Sequence, residues 1–190
     1  MSDSSIAVTV QALTRRIEVL EAEADIRRLQ ARYMFLCDTP CPESGIADHV
    51  ARVEKILELY AEDAIWEGVG EYHANQFGRM AGKDALRDHF RKFWDPRREP
   101  KLLLNAHYLT SEQIHVHDDG VTADGQWIHM QPWLFSDGKA LLRSSRLNNH
   151  FRKIDDRWLI ARTRTESVLV APLPDNFAEF FPSESVLMEG

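Results

Sequence analysis

The sequence predicts an α+β fold. Apolar residues recur at helical spacing through the first half of the chain and alternate along extended stretches through the second. Asp119-Gly120 and Asp155-Asp156 mark tight connections between those stretches, as expected of an antiparallel meander. At 190 residues and 44% hydrophobic content, with no shift in composition along the chain, one domain with a sizeable core is expected.

Ile6, Val10, Leu13, Ile17, Leu20 and Ala24 alternate spacings of four and three, the seam of a helix that packs on another helix. That contact is either with its own domain or with a second copy. From Asp25 the seam moves to Ile26, Leu29, Tyr33 and Leu36, with Arg27, Arg28 and Arg32 toward solvent, and Asp38-Thr39-Pro40 ends the helix. A second amphipathic helix runs from Ile46 to Tyr60, with Ile46, Val50, Val53 and Leu57 inward. A short strand covers residues 64–70, a polar loop leads to Arg79, and Gly82 to Trp94 forms a third helix on Leu86, Phe90 and Phe93. Strands over 140–154 and 158–170 close the order.

Between them lies the stretch that carries two histidines, His107 and His129. Asp119-Gly120 reads as a two-residue type I′ turn, which sets Ile114 and Val116 on the same face as Val121, Ala123 and Trp127. Unbroken alternation would then send His107 to the face opposite His129. The polar run Thr110 to Gln113 interrupts the alternation, and one extra residue there turns His107 inward, diagonal to His129. A bulge is therefore expected.

A formal charge of −7 without a basic stripe argues against nucleic acid or an anionic membrane as partner and favours a small molecule. Cys37 and Cys41 form neither a disulfide framework nor a zinc spacing, and free thiols in a cytoplasmic protein are expected. Neither a signal peptide nor a membrane-spanning run is read. Nucleotide-binding glycine loops and the G-x-S-x-G elbow are absent from the sequence.

Five fragments, in this order, resemble the nuclear-transport-factor-2-like superfamily in its SnoaL-like polyketide cyclase and scytalone dehydratase branch. They are Tyr33-Met-Phe-Leu-Cys-Asp38, Leu59-Tyr-Ala-Glu-Asp-Ala-Ile-Trp66, Gly82-Lys-Asp-Ala-Leu86, His107 followed by Ile114-His-Val116, and Asp156-Arg-Trp-Leu-Ile160. The resemblance covers about residues 22 to 168. It implies a cone-shaped, curved antiparallel or mixed sheet wrapped around helices, a cystatin-like α+β barrel with an apolar pocket, and a homodimer or homotrimer. Residues 1–21 are then an N-terminal helical extension, 22–170 the barrel, and 171–190 a tail, bearing Phe177, Phe180, Phe181 and Leu187, that is expected to lie over the pocket mouth.

The resemblance also assigns roles. Singly, Asp38 reads as a helix-end residue and His107 as a core histidine; in the dehydratase-like members, an acid in this helix and a histidine on this strand form a dyad. Such a carboxylate fixes the imidazole tautomer and leaves the other ring nitrogen as a base. Tyr33 falls where the family uses a phenol to donate to a substrate oxygen. His129 falls where scytalone dehydratase-like sequences carry a histidine and is expected to protonate a leaving hydroxyl. Asn149 matches a cavity-facing position that orients substrate. Apart from the resemblance, Trp66, Trp127 and Trp133 read either as core or as cavity wall, and on the wall they would favour an aromatic or polycyclic substrate.

His115 and His117 form an H-x-H which, with Asp118 and Asp119, would be the metal site if there were one. Beside a turn they are expected in solvent, and no metal or other cofactor is expected. Arg162 and Arg164 either meet a polar substrate group or stay solvated. The residues and the resemblance together imply a cofactor-independent lyase on a small apolar aromatic or cyclic hydroxylated compound, acting by dehydration or by retro-aldol cleavage with formaldehyde release. An isomerase or cyclase, a non-catalytic subunit of a ring-hydroxylating dioxygenase, and a ligand-binding module stay open.

Overall fold

A computed structural model describes residues 3–41 and 43–175, so the expected lid at 176–190 lies outside the described residues. Helix α1 (Asp3–Cys37) comes first, then α2 (His49–Leu57), β1 (Tyr60–Val69), α3 (Glu71–Gln76), β2 (Arg79–Ala81) and α4 (Lys83–Phe93). Five strands follow, β3 (Leu102–Asn105), β4 (Tyr108–Val116), β5 (Thr122–Phe135), β6 (Ala140–Ile154) and β7 (Arg157–Pro172). They make one mixed sheet ordered β2-β1-β7-β6-β5-β3, with β4 also on β5 and β1 parallel to β7.

The core lies between that sheet and the helices. Ile26 and Leu36 of α1, Val53 and Ile56 of α2, Leu86 of α4 and Phe151 and Ile160 of the sheet are completely buried. Each such side chain contributes about 1.5–3 kcal/mol of burial. Burial along α1 begins in earnest at Ala22, within one unbroken helix. Ile6, Val10, Leu13, Ile17 and Leu20 are exposed, so the described part of the domain does not cover the seam.

Several expectations need correction. The second helix is shorter, because Asp48 caps it by accepting the Ala51 N–H at 2.8 Å, and Val50 on its first turn is exposed. The first strand starts at Tyr60 and pairs with β7 there. The stretch read as a polar loop before Arg79 contains α3, and Arg79 itself starts β2. Helix α3 can press onto β1 because Gly68 has no Cβ, which would stand 2.6 Å from the His73 carbonyl oxygen. The β4–β5 connection is not a type I′ turn: Gly120 has a φ of 69°, whereas the φ of Asp119 is not positive. Asp119 instead accepts the N–H groups of Val121 and Thr122, and Val121 is exposed. The register survives this change, with Val116 opposite Ala123.

The bulge is present. Thr110 pairs with Ile128 and Gln113 with Gln126, so β4 carries one residue more than β5, and Ser111 takes a φ of 53°. Leu109 then sits opposite His129. Between β3 and β4 the ladder on β5 is interrupted at Ala106 and His107, facing Pro132, a residue with no N–H to offer.

Candidate active site

Two backbone bonds bring the dyad together. Thr39 N–H donates to the Asn105 carbonyl at 2.8 Å and Asn105 N–H to the Thr39 carbonyl at 2.9 Å, pinning the end of α1 to the end of β3. Asp38 and His107 flank that bridge. Because the ladder is interrupted at His107, its N–H is free to donate to Asp38 Oδ1 at 3.0 Å. The His107 ring Nδ1 lies 2.7 Å from the same oxygen.

The rest of the network fixes tautomers. Gln131 Nε2 lies 3.0 Å from His107 Nε2 and also donates to Asn105 Oδ1, while Gln131 Oε1 lies 3.2 Å from His129 Nε2. The consistent assignment has His107 donating Nδ1–H to Asp38 and offering an Nε2 lone pair, and His129 donating Nε2–H to Gln131. His129 Nδ1 is then a buried acceptor without a partner. Burial, with His107 nearby, lowers the His129 pKa to about 3. In that tautomer the Nε2–H is engaged with Gln131 and Nδ1 carries no proton, so the unpaired nitrogen of His129 is an acceptor, whereas the expected acid role needs a proton there.

His107, His129 and Gln131 line a cavity of about 90 Å³ with Tyr33, Trp66 and Trp133. Tyr33 accepts the Trp66 Nε1–H at 3.0 Å, leaving its own proton for another acceptor. Burial raises the Tyr33 pKa well above its usual value, so the phenol stays protonated. Asp38 stands behind His107, away from the cavity wall.

Two expected wall residues are elsewhere. Asn149 is buried but donates to Gln30 Oε1 of α1 at 2.9 Å, and Trp127 donates to Glu112 Oε2 at 3.1 Å and packs on Phe151. Both lie on the inner face, as alternation predicted. That face is divided along its length: one end meets α1, and the end holding His129, Gln131, Trp133, Arg143 and Ser145 borders the cavity. His115 is exposed, and His117 turns not to Asp118 or Asp119 but to Asp124, which also meets His150. Arg162 pairs with Glu67, and Arg164 with Glu166.

Gln131, Arg143 and His73 were missed. Gln131 was legible two residues from His129 on the same face. Arg143 lies on the inner parity of β6 with Asn149, but nothing local says which end of that row meets the cavity. His73 sits on α3, a helix of six residues without a readable seam. Its Nε2 lies 3.0 Å from an Arg143 terminal nitrogen, and burial, then that guanidinium, lowers its pKa to about 4.

A family model for the SnoaL-like domain matches residues 18–164. Hexachlorocyclohexane dehydrochlorinase LinA type 2 superposes with a TM-score of 0.67 at 15% identity, over 90% of this chain and 99% of its own. A scytalone dehydratase-like protein from Novosphingobium aromaticivorans gives 0.63 at 12% identity, over 84% and 92%. An NTF2-like protein with a cystatin-like fold from Novosphingobium aromaticivorans gives 0.54 at 22%, over 82% and 88%. At these identities the structures share the fold with this chain. No curated protein matches it in sequence.

Proposed function

The chain belongs to the SnoaL-like domain family of the NTF2-like superfamily, and from that premise we propose that it is a cofactor-independent lyase that removes water from a small hydroxylated compound. The observation that carries this reading is the Asp38–His107 pair, joined at 2.7 Å, with His107 on the cavity lining and its other ring nitrogen 3.0 Å from Gln131. Structural neighbours of lyase type, a dehydrochlorinase and a scytalone dehydratase-like protein, support the class of reaction. A non-catalytic subunit would not need an oriented imidazole on a cavity lining.

In this reading His107 Nε2 takes a proton from carbon, displacing its bond to Gln131. The electron pair of the broken C–H bond forms the C=C bond as the neighbouring C–O bond breaks. The imidazolium, held by Asp38, returns the proton to the departing hydroxyl, which leaves as water. One base thus serves both halves of the elimination, which suits a site whose second histidine is neutral. Tyr33 donates to a substrate oxygen, and His129 Nδ1 accepts from a hydroxyl. A positioned base supplies about 10²–10⁴-fold, and orientation in a dry cavity supplies the rest. Small hydroxylated cyclic and aromatic compounds, screened for water loss by ultraviolet absorbance, test the reading. Turnover is expected from the wild type and not from His107→Ala; equal turnover by both would refute it.

A further inference from the structure

The cavity that His107 borders also holds an unneutralised cation. Arg143 is 2% exposed, and no carboxylate pairs with it among the described residues. One terminal nitrogen meets His73 Nε2 at 3.0 Å and Gln76 Oε1 at 2.9 Å, both neutral groups. Its Nε and its other terminal nitrogen have no partner. The guanidinium lies over the Trp133 ring, 4.1 Å from the centroid, and Trp133 Nε1 is also buried without a partner. Burial lowers the Arg143 pKa to about 10, which leaves it charged at neutral pH.

Burying a guanidinium without a counter-charge carries a large desolvation penalty, and the rings of Trp133, Phe77 and Tyr72, at 4.1, 5.3 and 5.5 Å from the guanidinium carbon, offset only part of it. Arginine and tryptophan are donors only. Whatever completes this end of the cavity must therefore bring acceptors, and a negative charge removes the largest part of the penalty. The dyad end has the opposite character, with the His107 Nε2 and His129 Nδ1 lone pairs as acceptors. Arg143 is the direct cross-strand neighbour of Gln131, the residue that touches both histidines. Arg143 and the two histidines thus border one cavity.

We propose that Arg143 and Trp133 bind a carboxylate on the substrate, so that the compound dehydrated is a small hydroxy acid with its hydroxyl toward His129 and its carboxylate toward Arg143. This deepens the lyase reading and rests on it for the hydroxyl end alone. Specificity then comes from charge at one end of the cavity and proton transfer at the other. Glycols and neutral phenols of the same size would leave the guanidinium bare.

Calorimetric titration of the wild-type protein with crotonate and benzoate, against crotonamide and benzamide, tests this without turnover. The carboxylates are expected to bind at least about tenfold more tightly than the amides. Arg143→Gln is expected to abolish that preference, Arg143→Lys to keep part of it, and Asp38→Asn to leave it intact. Equal affinity for acid and amide, no binding of either, or equal displacement of crotonate by the same concentration of chloride would overturn the carboxylate site. If Arg143→Gln fails to fold, the wild-type acid-to-amide ratio still decides. Failure of the lyase reading shows separately, as turnover that is undiminished in Asp38→Asn.

Discussion

A single oxygen of Asp38, Oδ1, receives both the backbone N–H and the ring Nδ1 of His107, at 3.0 and 2.7 Å. Two bonds from one residue to one atom fix the main chain and the imidazole together. Asp38→Asn keeps an oxygen acceptor there but removes the charge that stabilises an imidazolium. Its turnover is expected to fall about 10²–10⁴-fold with little change in KM. Steady-state kinetics, with a melting curve to show that the fold persists, check this.

The second prediction concerns the bulge. Deleting Ser111 takes away the extra residue of β4, and a one-residue slip sends every side chain beyond it to the other face. His107 would leave the cavity, so the deletion is expected to be inactive yet folded by circular dichroism. Ser111→Gly keeps the register at a φ of 53° that glycine adopts freely, and is expected to keep turnover with equal or slightly higher stability.

Acid is expected to destabilise the protein through three imidazoles, those of His73 and His129 buried and that of His89 half-buried. Burial lowers the pKa of His129 to about 3 and of His73 and His89 to about 4, against about 6.5 in the unfolded chain. Between pH 6.5 and about 4 the unfolded state binds more protons at these positions than the folded one. Stability therefore falls as pH falls through that window, by about 1.4 kcal/mol per pH unit for each histidine. Urea unfolding at pH 7 and pH 5 checks it. His89→Phe, in a site walled by Trp66, Phe90 and Phe93, is expected to flatten the dependence by about one proton.

Gly125 allows Trp127 and Phe151 to close over β5. A Cβ there would lie 2.5 Å from Trp127 Cη2 and 2.9 Å from Phe151 Cε2. Gly125→Ala is expected to cost about 1–3 kcal/mol by overpacking, read as a lower urea midpoint.

Local rules carried much of the fold because each rested on near neighbours. The seam from Ile26 to Leu36, the alternation along β5 and the break in pattern at Thr110 to Gln113 all refer to residues a few positions apart. The bulge followed from that break, and with it the side of the sheet on which His107 stands. The Asn149 and Trp127 placements failed for the opposite reason. Alternation says which face a residue is on, whereas the position of α1 across that face decides whether it meets helix or cavity. Gln30, which takes Asn149, lies 119 residues away in the chain. The charge state of His129 was equally out of reach, since it depends on burial that no single stretch encodes.

The central claim is that His107, oriented by Asp38, moves a proton from carbon. The most direct measurement is the rate of water loss from a substrate carrying deuterium at the carbon next to the hydroxyl-bearing one. The label is expected to slow wild-type turnover, with no measurable turnover in His107→Ala. Turnover insensitive to the label in the wild type and undiminished in His107→Ala would contradict the claim.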